Sequence, residues 1–445
     1  GKGSIGTISV ADSASVSALM MVIGAGENSS GSVNVSGGLI QTNNLNVAGA
    51  AANSKGVLTI SGGSVVVSNS AGTGRLNMGQ GAGSTGTIAM TGGSLYTQTF
   101  VMGNVNNSTP LVDLSGNAKM TISAWGNIGG GDQGGNKGTI NISEGAVLNA
   151  KVLSAVSHVN SHGTVSLTGT SSLVLGADDP LGEYQGGLYV GGAAGATGTV
   201  SITDQATINA KNAEISIGNG GHGYYSQTGG SVTADLGFYV AIADGGTGTA
   251  SITAGELSVG RTLLVGAGGH LAVGGTGTAS ADVFAVRDGG SYSGALFVGA
   301  LDGTPGNYVK ANTLRLQSGA AVDGKTVLNG GDVTLTISGD QTSLGAISLG
   351  ELEVLVDTVI TIDLANLVIT GEGEIVLLDY DDISGISKLS ANIVGYDTDL
   401  WKIVERLDLD NNRLMATISA AIPEPAFAGA LLGLLGLLVV ARRRC

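Results

Sequence analysis

The sequence predicts an all-β chain: a right-handed parallel β-helix (a solenoid) over residues 1–331, an acidic β-rich cap over 332–420, and one C-terminal transmembrane helix in a tail at 421–445. Three observations carry that expectation. A glycine-punctuated unit recurs with a period of roughly 25 residues. Within each unit, apolar and polar residues alternate with a period of two. The chain closes on an uncharged apolar run followed by Arg442, Arg443 and Arg444.

The repeating unit has the form Gly-Thr-apolar-polar-apolar-Ser/Thr-Gly-Gly-Ser. It begins at Gly6, Gly31, Gly56, Gly86, Pro110, Gly138, Gly163, Gly198, Gly223, Gly248 and Gly277. The same spacing separates Gly6 from Gly31, Gly31 from Gly56, Gly138 from Gly163, and Gly198 from Gly223 and that from Gly248, with unequal steps between these groups. A period that recovers after each excursion describes one structural coil with loops inserted at tolerated points. In the unit at Gly138, Ile140 and Ile142 point one way while Thr139, Asn141 and Ser143 point the other, the alternation of a half-buried strand. A second short strand follows the Gly-Gly turn, as at 64–67 and 94–97. A third carries Leu-x-Val/Met-Gly at 76–79, 188–191, 263–266 and 296–299. Three such strands cannot bury their inward side chains alone and need copies stacked at about 4.8 Å. A propeller blade would need four strands and about 40–50 residues, so that architecture is set aside.

Composition fits a narrow prism. Aromatics are 4% of the residues, too few for a broad core, and Val, Ile, Leu, Met and Ala fill the inward positions. With 78 Gly, 5 Pro and 12% charged residues, the chain is neither collagen-like, coiled coil nor charged disorder. Its single cysteine, Cys445, allows no internal disulfide, so packing has to hold the fold. The chain opens on Gly1 without a basic-then-apolar leader, and an N-terminal signal peptide is expected to have been removed or left out.

Past Gly331 the repeat gives way to longer apolar strands, such as 332–339 and 360–369, which read as a cap over the open end of the solenoid. Residues 332–420 hold 16 Asp/Glu against 4 Lys/Arg, whereas 1–331 hold 17 against 12. A net charge of −15 and a pI of about 4.5 argue against a nucleic-acid partner.

From Ala426 to Ala441 the tail carries no charged side chain. As a helix this run reaches about 24 Å, somewhat short of the ~30 Å hydrocarbon layer, and Ile422 with snorkelling arginines makes up the difference. Pro423 and Pro425 fence the start of that helix. Arg442, Arg443 and Arg444 put the C-terminus on the cytoplasmic side, so everything before Pro423 is expected to be exported. Ile422-Pro423-Glu424-Pro425, the Gly/Ala/Leu run and the terminal arginines together resemble the PEP-CTERM sorting tail of bacterial exported proteins. The resemblance covers the stretch from Ile422 to Cys445 and no more of the chain. It implies that Pro423, Glu424 and Pro425 form the sorting motif and that the helix is a transient anchor in the inner membrane. It further implies an exosortase-type processing enzyme, cleavage near Pro425, and delivery to the cell surface or its extracellular polysaccharide. Cys445 departs from the usual basic finish of such tails.

The repeat region is similar to pectate-lyase-like and autotransporter-passenger β-helices. Autotransporter chains end in a membrane β-barrel, whereas a single helix is expected here. Some β-helices cleave acidic polysaccharides, so a lyase or hydrolase is the alternative function. Its carboxylates would come from Asp178, Asp179 and Glu183, beside Tyr184 in the long unit that begins at Gly163. Basic residues fall at one per unit or fewer with no recurrent acidic neighbour, and no catalytic residue is assigned. The leading expectation is a structural or adhesin-like surface or matrix protein that works through many weak contacts.

Calcium is the one cofactor the sequence raises. Asp408, Asp410 and Asn412 have calcium-loop spacing, and Asp379, Asp381 and Asp382 cluster; Arg413 and Ser419 stand where that loop needs Gly and Glu, so no metal ligand is assigned. Gly319 to Thr326 matches the P-loop pattern with Lys325 as its lysine, but no helix is expected to follow it. His158 and His162, four apart, are expected to face solvent in a strand-and-turn context.

Overall fold

The computed structural model describes residues 3–130, 135–176, 186–299, 308–408 and 411–421. Among these residues, 37 strands join one continuous sheet. Strand Ile5–Val10 pairs in parallel with Ser30–Val35, that strand with Lys55–Ile60, and that one with Thr85–Met90, each one turn of the coil later. Each turn has three faces. In the coil that begins at Thr85, the first face is Thr85–Met90, and the two halves of Ser94–Met102 make the second and third. Those halves stack on Ser64–Val67 and Arg75–Met78 of the coil before. The chain is therefore a parallel β-helix built from repeats.

Ten of the eleven predicted unit starts, Gly6 to Gly248 with Pro110 among them, fall in one column of the first face. The eleventh does not. Gly248 is stacked against Gly269, while Thr278, next to Gly277, pairs with Glu256 on the second face. The coil from Gly248 is shorter than its predecessors, and a Gly-Thr pair looks the same wherever a turn feeds a strand.

Alternation sets what each face buries. Strands Thr85–Met90 and Thr197–Ile202 alternate half-buried and buried residues throughout. Val33, Leu58, Ile88, Val112, Ile140 and Val165 form one inward column, all buried. Each such side chain contributes about 1.5–3 kcal/mol by leaving water.

Two features of the corner before the first face explain the unit's small residues. The corner backbone folds back over the first inward position, so a Cβ on Gly56 would lie 2.2 Å from the amide nitrogen of Ala48, and one on Gly198 2.4 Å from that of Gly191. The same corner needs a left-handed residue, and Asn28, Asn53, Gly83, Asn107, Gly135 and Asn160 supply it with φ between 53° and 85°. Asparagine and glycine tolerate that region best. A small residue follows; the hydroxyls of Ser29 and Ser54 donate to the carbonyls of Gly26 (2.6 Å) and Gly49 (3.0 Å) and tie the corner down.

One irregularity interrupts the stack. Strands Ala295–Gly299 and Tyr308–Gln317 both contribute to the second face, and residues 308–311 slot between 278–281 and 295–298. That face gains a level there.

Parallel stacking continues beyond Gly331. Asp332–Asp340 pairs with Thr358–Val368, that strand with Leu389–Val394, and Ile347–Val354 with Gly373–Ser384. Antiparallel pairing among the described residues is confined to the end, where the hairpin of Trp401–Asp408 and Arg413–Ala420 closes on Gly373–Ser384. Ile375, Leu414 and Ile418 are buried under it. The transmembrane helix expected at 426–441 lies outside the described residues; among those described, no helix is long and apolar enough to cross a membrane.

Candidate functional site on the third face

In-register stacking brings equivalent outward side chains to about 4.8 Å from one another, so polar residues hydrogen bond along the rod instead of around it. Ser201 donates to Ser166 (3.1 Å), Thr207 to Ser172 (3.1 Å), Asn77 to Asn46 (2.9 Å) and Asn141 to Asp113 (2.6 Å), while the Ser64 and Ser94 hydroxyls lie 2.8 Å apart. The outer faces carry ordered columns of hydroxyl and amide groups.

The third face departs from that pattern between Tyr189 and Arg315. Its outward column runs Tyr189, Ser216, Tyr239, Leu264, Ala285, Arg315. Gly237 leaves space beside Tyr239; a Cβ there would sit 2.3 Å from the phenol oxygen, so the ring lies back along its own strand. Burial raises the Tyr239 phenol above its ordinary pKa, the Glu214 carboxylate adds to the rise, and Arg261 opposes it. Leu264 occupies an outward position yet is only 6% exposed. The small side chain of Ala285 leaves a hollow of about 480 Å³ lined by Tyr239, Leu264, Ala285, Arg287, Arg315 and Gln317.

Arg287 and Arg315 are exposed and make no ion pair among the described residues. Lys325, Arg406 and Arg413 do: Lys325 lies 3.0 Å from Glu351 and 2.8 Å from Glu353, Arg406 3.3 Å from Glu374, and Arg413 3.4 Å from Asp379. A neighbouring hollow of about 270 Å³ shares Arg287 and Gln317, with Asp244 and Asp288 on its wall. A further hollow of about 320 Å³ at the first coil is lined by uncharged residues such as Ile5, Ile8 and Met21.

The residues singled out in the sequence are not brought together at this site. Pro423, Glu424, Pro425, Arg442, Arg443 and Arg444 lie outside the described residues, as do Asp178, Asp179, Glu183 and Asp410. Asp379 is engaged by Arg413, Asp408 accepts from Asn411 (3.0 Å), and Asn412 donates to the Asp381 carbonyl (2.7 Å). No group of three or more metal-capable side chains occurs among the described residues. The P-loop-like stretch forms the short strands Ala321–Asp323 and Thr326–Asn329, with no helix after it and Lys325 held by two glutamates. His162 sits on the outward side of the first face, stacked between Lys137 and Thr197, while His158 lies in a turn beside the Ser157 hydroxyl.

The sequence did hold a signal for the third-face site. Arg261, Arg287 and Arg315 each adjoin or lie within a third-face strand, and their common placement emerges once Gly277 is assigned to the second face. No protein-family model matches the chain, and a comparison with curated proteins finds no significant match.

Proposed function

We propose that this chain is an exported, non-enzymatic display rod: a cell-surface or extracellular-matrix protein of adhesin-like character, delivered through a PEP-CTERM-like tail. The observation that supports it is the set of register-matched polar columns, in which Ser166/Ser201, Ser172/Thr207 and Asn46/Asn77 repeat one hydrogen-bonding pattern along the rod. A surface that repeats at a fixed spacing suits a repeating polymer, because many weak contacts add as one multivalent contact. The coil takes the right-handed sense expected of parallel connections. Pro423, Glu424 and Pro425 are read by the processing enzyme, Arg442, Arg443 and Arg444 orient the span in the inner membrane, and the mature protein ends near Pro425 at the cell surface.

Mass spectrometry of the C-terminus of surface-extracted protein tests the delivery step. A terminus near Pro425 is expected, and retention of Ala426 to Cys445 overturns it. Removal of the rod with the tail kept is expected to weaken attachment of cells to their matrix; unchanged attachment overturns the adhesive role.

A further inference from the structure

The third-face hollow is the one place among the described residues where two unpaired guanidinium groups and an aromatic ring border the same concave surface. Ala285 is stacked directly against Arg315, and Arg287 stands two residues beyond Ala285 on the same outward side. Side chains so placed on neighbouring strands lie on a diagonal, about 7–8 Å apart at their α-carbons, within mutual reach of two arginines. Two like charges held there without an ion-pair partner repel, and an anion between them removes that repulsion, although Asp244 and Asp288 in the adjoining hollow soften it at Arg287. Unpaired lysines elsewhere on the rod, such as Lys55 and Lys119, stand singly on their strands.

The other end of the hollow has a different character. From Arg315 the column passes Ala285 and Leu264 to Tyr239, three strand spacings or about 14 Å. The half-buried Tyr239 ring offers an apolar face, and Gln317 offers an amide. A bare inorganic anion would use the arginines and leave the ring face empty. A long polyanion such as duplex DNA would have to cross a chain of net charge −15 on either side. A ligand that alternates flat apolar ring faces with single carboxylates uses both ends.

We propose that the hollow between Tyr239 and Arg315 binds a stretch of carboxylate-bearing polysaccharide, with Arg287 and Arg315 taking a carboxylate and Tyr239 taking the face of an adjoining sugar ring. Guanidinium groups match carboxylates through paired N–H donors, which a lysine does not provide. Asp244 and Asp288 on the flanking wall favour one charge per ring over denser anions. The inference names the polymer for the display rod and rests on that reading for its biological setting, though its chemistry stands alone.

Titration calorimetry on the full chain tests it, with a short oligogalacturonate, a neutral glucose oligomer of equal length and duplex DNA as probes. The uronate is expected to bind with an affinity that falls as salt rises, and the neutral oligomer to bind at least about tenfold more weakly. The double variant Arg287→Gln/Arg315→Gln is expected to lose about tenfold or more for the uronate, and Tyr239→Ala to weaken it as well. Lys325→Gln, which removes a paired cation elsewhere, is expected to leave it unchanged. All the altered side chains are exposed or half-buried, and matching thermal melts verify that the variants fold. Equal affinity for the neutral oligomer, full affinity in the double variant, or displacement of the uronate by duplex DNA at equal charge would overturn the proposal. A negative titration leaves the tail and its processing untouched, and an unprocessed tail leaves the titration untouched, so the two readings fail separately.

Discussion

The coils between Gly31 and Gly248 and the coils beyond Gly331 reach the same stacking by different means. In the first region every turn into the first face passes through a left-handed Asn or Gly, a small residue, and a glycine pressed against the corner backbone, except that Asn136 takes the small residue's place in one turn and Pro110 the glycine's in another. From Asp340 to Ser384 no described residue has a positive φ, yet parallel pairing runs on through Ile347–Val354 and Thr358–Val368; a left-handed residue returns only at Gly385, before Leu389–Val394. The comparison separates two things the repeat had joined. Stacking needs inward aliphatic residues at every second position, and the end region has them in Leu335, Ile337, Ile360 and Ile362. The Gly-Thr unit belongs to the corner, where backbone meets backbone.

The largest expected effect tests that separation. Gly198→Ala would put a Cβ 2.4 Å from the amide nitrogen of Gly191 and 2.5 Å from the carbonyl of Ala155, both backbone atoms with nowhere to go. A loss above about 4 kcal/mol is expected in denaturant unfolding, which places it among the exceptional point changes. Gly371→Ala in the end region meets nothing within 4 Å and has no positive φ, so its effect is expected within about 0.5 kcal/mol. Equal effects at the two sites would mean that the corner can lift off the strand and that the glycine column is not what holds it.

A second contrast lies inside the core. Most of the inward column is aliphatic, but Gln227 replaces the aliphatic residue between Ile202 and Ile252 and is fully buried. It accepts from the Tyr225 hydroxyl (2.7 Å) and donates to the Glu256 carbonyl (3.0 Å), while the Tyr225 ring meets Phe238 edge-on at 5.1 Å. Burial drives the Tyr225 phenol well above its ordinary pKa, so it stays a neutral donor. Gln227→Ala leaves that hydroxyl unpaired and opens a cavity, and a loss of about 2–4 kcal/mol is expected. The pair Gln227→Leu/Tyr225→Phe is expected to recover most of it, since removing both partners strands only the Glu256 carbonyl and the more distant Gly230 carbonyl. A double-mutant cycle with no coupling would show the two residues to be independent fillers.

Much of this is readable in the sequence by itself. The repeat period, the alternation and the three strands per coil follow from which residues recur, because each side chain's burial repeats with its place in the coil. The misplaced Gly277 shows where such reading stops: a Gly-Thr pair marks a corner without saying which of three corners it is. The continued stacking past Gly331 was hidden for the opposite reason, since the corners between Asp340 and Ser384, built without left-handed residues, leave no motif while the strands they join still pair. The third-face hollow needed the corrected register as well. Arg261, Arg287 and Arg315 follow one another at close to the repeat spacing, yet their shared face depends on coils of unequal length.

The smallest expected effect sharpens the contrast between corners held by backbone and ties held by charge. Ser84 caps its corner by donating to the Gly81 carbonyl, and Ser84→Ala is expected to cost about 1 kcal/mol at any pH where the fold persists. At the border of the end region Lys325 bridges Glu351 and Glu353 of the next level, and its hydrogen bonds to Glu353 and then Glu351 raise the ammonium pKa above the usual 10.5, with burial opposing. A folded pKa above the unfolded one means that this stabilisation is complete below about pH 10.5 and lost as pH rises through the folded value. The side chains are 42%, 48% and 30% exposed, so water and salt screen the tie to about 1 kcal/mol or less. Lys325→Gln is therefore expected to lower the melting temperature slightly at neutral pH and low salt, and to have no effect at high salt or strongly alkaline pH. A loss that ignored both variables would place Lys325 with the packed corners instead.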